Sequence, residues 1–319
     1  MIKQIYGILR LVRWVNLLII ALSMFLFQYC VIHTYLIASD TELAMSKIYF
    51  SLLVLSTVLI AAAGNVVNSY LDYEQDVEYK PEKVIIGKYI SLDGAFNLQL
   101  GLSVIGILIG FFLSYHFGNI RLGYIFLSAT ALLWLYSQFL KRHFLIGNIV
   151  VAGLSAIVFV LPVLFESHLI AYFKTDLQQM ATDTIMAELK LYVFFAFTVS
   201  LIREIVKDAE DKDGDAAYGM KTLPVVLPVW ATNAIVILLM LGLMAVIGYV
   251  ELFFWQHGLK KHFWFSIFFL QFPILTNMFT VFISKREEDY HNISVLLKML
   301  MFFGIASLPV FYMFITRWQ

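Results

Sequence analysis

The sequence holds a single cysteine, Cys30, and its 22 lysines and arginines are cancelled by 22 aspartates and glutamates. One cysteine excludes an internal disulfide framework and, set in an apolar run, argues against a cysteine metal site. Zero net charge removes the bulk attraction that draws a chain to nucleic acid, and no nucleic-acid partner is expected. No Pro-, Ser- or Gly-rich linker interrupts the chain, so a single membrane-embedded domain over 1–319 is the simplest organisation. The seven histidines are scattered, and His257 and His262 flank a loop without metal-ligand company.

What the chain has is apolar surface. It is 61% hydrophobic and 14% charged, with a mean hydropathy of +0.84, more than one soluble core can hide. A helix crossing the hydrocarbon layer takes about 20 mostly apolar residues at about 1.5 Å each. Nine such runs occur, near 14–38, 48–72, 92–115, 119–139, 145–166, 188–207, 225–250, 263–284 and 293–317. They are continuous rather than alternating, which predicts helices and not a barrel, because lipid offers no partner to unpaired backbone groups. The expected fold is all-α, a polytopic bundle of nine transmembrane helices. Pro162, Pro273 and Pro309 are expected to kink their spans, and the polar stretch 167–187 reads as a connector in preference to a surface helix or lid.

The amino-terminal Lys3, Arg10 and Arg13 precede a run too long for a signal-peptide core, so the first span is expected to be retained. With the amino terminus in the cytoplasm, 15 of the 22 basic residues fall inside and seven outside, the bias that sets orientation. The carboxyl terminus then lies outside.

Two acidic constellations stand out. The first is Asn65-Val-Val-Asn68-Ser-Tyr-Leu-Asp72-Tyr-Glu-Gln-Asp76, where span two ends. At about 100° per residue its Asn and Asp side chains fall within roughly an 80° arc. The second is Arg203-Glu204-Ile-Val-Lys207-Asp208-Ala-Glu-Asp211-Lys-Asp-Gly214-Asp215, where span six ends and the four-residue step recurs. Gly214 is expected to loosen that helix before its last aspartate. A weak parallel repeat relates spans two and six, each followed by a loop with Lys, Gly and Pro, and such repeats often place a site between halves.

A lone aspartate here reads as a water-facing helix end neutralised by Lys207, Arg203 or Lys212. A matched pair of ladders needs more, since an intramembrane Asp costs at least about 2.5 kcal/mol. Carboxylate and amide oxygens suit magnesium, which keeps waters and bridges to phosphate. The ladders therefore suggest a diphosphate held through Mg2+, with Lys207, Arg203 and Lys83 as basic contacts, and a substrate at home in lipid is an isoprenoid diphosphate. An ion or solute transporter is the rival from another class, but its binding groups are expected near the midplane.

At these residues the chain resembles the UbiA superfamily of intramembrane prenyltransferases, with signatures N-x-x-x-D-x-x-x-D and Y-x-x-x-K-x-x-x-D-x-x-x-D. The first falls on Asn68, Asp72 and Asp76, the second on Lys207, Asp211 and Asp215, with Arg203 at the tyrosine position. Arg13, Asn16, Tyr136, Lys141, Gly147 and Asn148 are further matches. The resemblance implies transfer of a prenyl group, with Asn68, Asp72, Asp76, Asp211 and Asp215 as Mg2+ ligands and Asp72, Asp76, Asp211, Asp215 and Lys207 as the catalytic set. Asn65, Asn68, Arg203, Asp208, Arg13, Asn16, Tyr136 and Lys141 are the candidate substrate-binding residues. Gly219, Lys221, Thr222, Leu223 and Pro224 after the second ladder look most like the branch that transfers geranylgeranyl to geranylgeranylglycerol phosphate, a lipid-soluble acceptor. The alternative is an aromatic acceptor, a quinone precursor or a tetrapyrrole. The loop after the first ladder reads Lys80-Pro81-Glu82-Lys83-Val-Ile-Ile-Gly87-Lys88, where many members show Arg-Pro-Ile-Pro-Ser-Gly. The implied location is a prokaryotic inner membrane, with the site on the cytoplasmic side.

Overall fold

A computed structural model describes residues 2–79, 81–82, 84–169 and 175–316. Among these residues every regular element is helical, apart from one isolated bridge between Ile86 and Ile90. Nine of the helices are long and apolar enough to cross a membrane, as the hydropathy pattern predicts. They are α2 Trp14–Ala38, α3 Lys47–Leu71, α5 Leu92–His116, α6 Gly123–Gln138 behind a 3-10 turn at Ile120–Leu122, α7 Ile146–Phe165, α8 Asp176–Glu210, α11 Val229–Gln256, α12 Lys260–Ile283 and α13 Glu287–Thr316. The short helices are α1 Ile2–Leu11, α4 Tyr73–Tyr79, α9 Lys212–Ala217 and α10 Leu223–Val226.

The largest departure from the sequence reading is at α8, which starts at Asp176 rather than near 188. Thr175 starts it early: its hydroxyl accepts the Gln178 N–H at 3.2 Å, which satisfies one of the amides a helix start leaves open. The residues that follow are too polar to register as a span, yet they are competent helix formers. The plain connector expected over 167–187 is thus helical from Asp176 onward, and residues 170–174 of it lie outside those described. Pro273 stands just behind a π turn at Ile267–Gln271, the local backbone adjustment that accommodates a missing N–H inside a span.

The chain divides into two compact units, the first comprising Met1–Gln28, Ile32–Lys141 and Ile157–Met186, the second Tyr29–Val31, Arg142–Ala156 and Ala187–Gln319. In the first unit α3 and α5 approach at small residues. Ser56 donates its hydroxyl to the Gly106 carbonyl at 2.7 Å, and a Cβ on Gly106 would stand 2.8 Å from Ile60 Cγ1. Such contacts replace the hydrophobic drive that lipid cannot supply. The second unit is cored by Ile202, Ile205, Val236, Met240, Ile274 and Leu297, while Leu238, Phe279 and Phe282 are 69%, 65% and 73% exposed. Apolar outside as well as inside, these helices carry the surface of a lipid-immersed protein.

Candidate active site

The first ladder bends where its chemistry begins. α3 stops at Leu71 because Asp72 takes φ −88° and ψ 0°, the bridge region between helix and extended chain, and α4 resumes at Tyr73. The four-residue bonding nevertheless continues through the bend, with the Asp72 N–H on the Asn68 carbonyl at 3.0 Å and the Asp76 N–H on the Asp72 carbonyl at 2.8 Å. Asn68 Nδ2 donates to Asp72 Oδ2 at 3.0 Å, and the Lys141 ammonium pairs with Asp72 Oδ1. Asn68 Oδ1 is left buried without a partner.

Asn65 serves the same unit differently. Its Nδ2 donates to the Val12 carbonyl at 2.9 Å, fixing the junction where Arg13 holds a left-handed φ of 55° between α1 and α2. The Asn16 N–H donates back to the Arg13 carbonyl at 2.8 Å. Asn65, Arg13 and Asn16 are therefore linked through backbone. Tyr136 is partly buried in the last turn of α6, just before the 3-10 turn Leu140–Arg142 that presents Lys141. In the departing loop Ile86 shares one apolar cluster with Leu11, Val66 and Ala95, and Ile85 packs against it, which ties the loop to α1 and α3. Lys80 and Lys83 lie outside the described residues.

The second ladder repeats the device. α8 ends at Glu210, Asp211 takes φ −101° and ψ 9°, and α9 follows. The Asp211 N–H reaches the Lys207 carbonyl and the Asp215 N–H the Asp211 carbonyl, both at 3.0 Å. The loosening expected at Gly214 thus falls three residues earlier, and Gly214 lies inside α9. Asp215 is buried and accepts the Thr222 hydroxyl at 3.3 Å. Gly219 makes that return possible with φ +67°, a conformation any other L-residue adopts at a cost. The Lys221 N–H then docks on the Arg142 carbonyl at 2.8 Å. Asp208 accepts from Asn148 Nδ2 at 2.7 Å, and Arg203 Nη1 donates to Glu204 Oε1 at 2.9 Å with its Nε buried and unpartnered. Thr222 and Asn148 were visible in the matched motifs, but nothing in the sequence assigned them to Asp215 and Asp208.

Among the described residues no group of three or more His, Cys, Asp or Glu is assembled to hold a metal ion. Magnesium does not ask for one: it keeps waters and takes one or two carboxylates plus substrate phosphates. The donors that each ladder presents are hard oxygens, and Asn68 keeps a buried, unpartnered Oδ1 beside Asp72. The residues fit such a cation.

Nine spans among the described residues, with two aspartate ladders bent alike, define an intramembrane helical bundle, and the chain belongs to the UbiA prenyltransferase family, whose model matches residues 29–306. It is an integral, multi-pass membrane protein. A digeranylgeranylglyceryl phosphate synthase of Methanobrevibacter smithii is 33% identical over 184 residues, 57% of this chain and 56% of that protein. The match therefore spans little more than half of that relative's length. A solved structure of digeranylgeranylglyceryl phosphate synthase in membranes shares the fold with a TM-score of 0.60 at 21% identity, covering 97% of this chain and 98% of that one. So does a UbiA homologue from Archaeoglobus fulgidus bound to DMAPP and Mg2+, with a TM-score of 0.58 at 15% identity, covering 95% and 99%.

Proposed function

We propose that this chain, acting as one membrane-embedded domain, transfers a geranylgeranyl group from its diphosphate to the hydroxyl of geranylgeranylglycerol phosphate. The observation that carries the reading is the repeated local geometry: each ladder bends at an aspartate, Asp72 or Asp211, while keeping its four-residue bonding, in a chain of the prenyltransferase family. The acceptor rests on the similarity to digeranylgeranylglyceryl phosphate synthase and the residues Gly219 to Pro224. The ladders are proposed to face the cytoplasm of a prokaryotic cell, with the carboxyl terminus outside.

Asn68, Asp72 and Asp76 on one ladder and Asp211 and Asp215 on the other would hold Mg2+. When bound, the ion withdraws charge from the diphosphate and makes it a better leaving group. Lys207 and Arg203 add fixed positive charge at the second ladder and Lys141 at the first, stabilising the negative charge that grows on the diphosphate as its bond to the allylic carbon breaks. The acceptor hydroxyl oxygen forms the new ether bond to that carbon, its proton is lost, and diphosphate leaves. Asn65 keeps the Arg13 turn in place, while Asp208, Asn16 and Tyr136 complete the proposed binding set.

The test incubates the purified chain in detergent with magnesium, labelled geranylgeranyl diphosphate and, separately, geranylgeranylglycerol phosphate, hydroxybenzoate, dihydroxynaphthoate and haem. Labelled diether with stoichiometric diphosphate release is expected from the first acceptor. Product with an aromatic acceptor alone replaces the acceptor. Transfer to none of them, with no diphosphate released, ends the proposal.

A further inference from the structure

A cavity of about 440 Å³ lies wholly within the second unit, walled by the end of α8, α9, α10, the start of α11, the loop joining α12 to α13 and the start of α13. The ladder carboxylates Asp211 and Asp215 are not among its lining residues. Four span ends meet around it: α8 stops at Glu210, α11 starts at Val229, α12 stops at Ile283 and the spanning part of α13 starts at Glu288. Successive spans run in opposite directions, so these ends share one side of the membrane, at the depth of the lipid headgroups. A single water needs only about 10–15 Å³ of such space, so the cavity can admit a headgroup.

Its lining is charged and its backbone is tied down. Lys212, Lys285 and Arg286 line it together with Asp213 and Glu288, so cations outnumber carboxylates among the described lining residues. The loop that carries Lys285 and Arg286 is anchored from two sides. Asn233 Nδ2 donates to the carbonyls of Val281 and Ser284 at 2.9 and 3.0 Å, and Tyr290 donates its hydroxyl to Asn233 Oδ1 at 2.6 Å. Asp289 Oδ2 accepts the backbone N–H of both Lys285 and Arg286 at 3.0 Å. The two cations are thus presented from a fixed backbone, which lowers the ordering cost of binding.

Thr232 supplies the independent sign of a ligand. It lines the same cavity, is 1% exposed, and its Oγ1 has no hydrogen-bond partner. A buried hydroxyl left unpaired is costly, and buried polar groups are almost always satisfied in native proteins by protein, water or ligand.

We propose that this cavity binds the phosphodiester headgroup of a membrane lipid, its phosphoryl oxygens taken by Lys285, Arg286 and Lys212 and reached by the Thr232 hydroxyl. Basic recesses at the ends of spans are a general means of holding lipid phosphates. The three cations suit a phosphodiester's single negative charge, whereas a phosphomonoester or a diphosphate would set its additional charge against Asp213 and Glu288. The site borders the second ladder without including Asp211 or Asp215 and does not depend on the proposed acceptor.

The test titrates the whole chain in neutral detergent with dioleoylphosphatidylglycerol, dioleoylglycerol or inorganic phosphate and reads retained ligand by native mass spectrometry. One phosphatidylglycerol per chain is expected, with the uncharged diacylglycerol not retained. At about five-fold per cation, the variant K285Q/R286Q is expected to weaken retention roughly 30-fold and Lys212→Gln about five-fold. Unchanged retention in K285Q/R286Q, or equal retention of the diacylglycerol, overturns the proposal. Displacement of the lipid by equimolar inorganic phosphate overturns it in favour of a free-phosphate site. If the double variant fails to fold, Lys212→Gln decides alone, because it leaves the loop intact and wild-type retention in it sinks the idea.

Discussion

Asp72 pairs with an ammonium brought from 69 residues away, Lys141, whereas Asp215 accepts a hydroxyl seven residues on, that of Thr222. The backbones of the two ladders match: a bridge-region aspartate, a preserved four-residue bond on each side, a short helix after the break. Their surroundings do not. The first ladder uses tertiary placement of a full charge, while the second includes a tight local turn that Gly219 permits. A repeated motif therefore repeats its backbone, while each copy finds its own means of stabilising its carboxylates.

The comparison is tested most severely by removing a carboxylate charge from each ladder. Asp72→Asn and Asp211→Asn are each expected to lower kcat/KM for diphosphate release by about 10²–10³, the loss typical of removing one electrostatic contributor to a transition state. Equal losses support equivalent ladders. A loss under tenfold in one of them, with normal membrane insertion, removes that ladder from the reaction.

Lys141→Met is expected to destabilise the folded chain by about 2–3 kcal/mol. Breaking a buried pair costs about 3–5 kcal/mol; here the two side chains are 11% and 20% exposed and Asp72 keeps the Asn68 hydrogen bond, which lowers the figure. The measurement is a double-mutant cycle with Asp72→Asn on unfolding in detergent, and additive single effects would show that the pair is not coupled. Thr222→Val, which keeps shape and loses the hydroxyl, is expected to cost only about 1 kcal/mol, because its bond to Asp215 is a long 3.3 Å. If Thr222→Val costs as much as Lys141→Met in the same unfolding assay, the contrast between the two ladders fails.

The spans were legible because about 20 consecutive apolar residues have few alternatives to crossing lipid, and α2 begins and ends where hydropathy places it. Asp176 to Ala187 was not, since hydropathy records burial in lipid and the polar start of α8 has little of it. The ladders were legible through their four-residue step. Their bends at Asp72 and Asp211 were not, because a preserved i to i+4 bond leaves the spacing unchanged while ψ shifts by some tens of degrees. Lys141 and Asp72 were each readable as candidates, but no local pattern couples residues 69 apart. The buried Ile86 looked like part of a deviant loop until its place in one apolar cluster with Leu11 and Val66 tied that loop to α1 and α3.

The smallest expected effect contrasts the two ends of the first unit. At the ladder end Asp72 meets an ammonium. Near the opposite end of α3, Glu166, which follows α7, is fully buried and accepts the Ala44 N–H through Oε1. Burial pushes the Glu166 carboxyl above its ordinary value of 4.5, against the opposing pull of the Ala44 and Met45 N–H groups, of His168 and of the Gln28 side chain. The folded state therefore holds this proton more tightly than the unfolded state does. The stabilisation is complete below pH 4.5 and is lost as pH rises through the raised folded value. Glu166→Gln keeps the shape and the acceptor for Ala44 but cannot ionise. The difference in unfolding temperature between wild type and E166Q is thus expected to move against the wild type as pH rises through that window, and a difference independent of pH would show that burial does not hold the Glu166 proton.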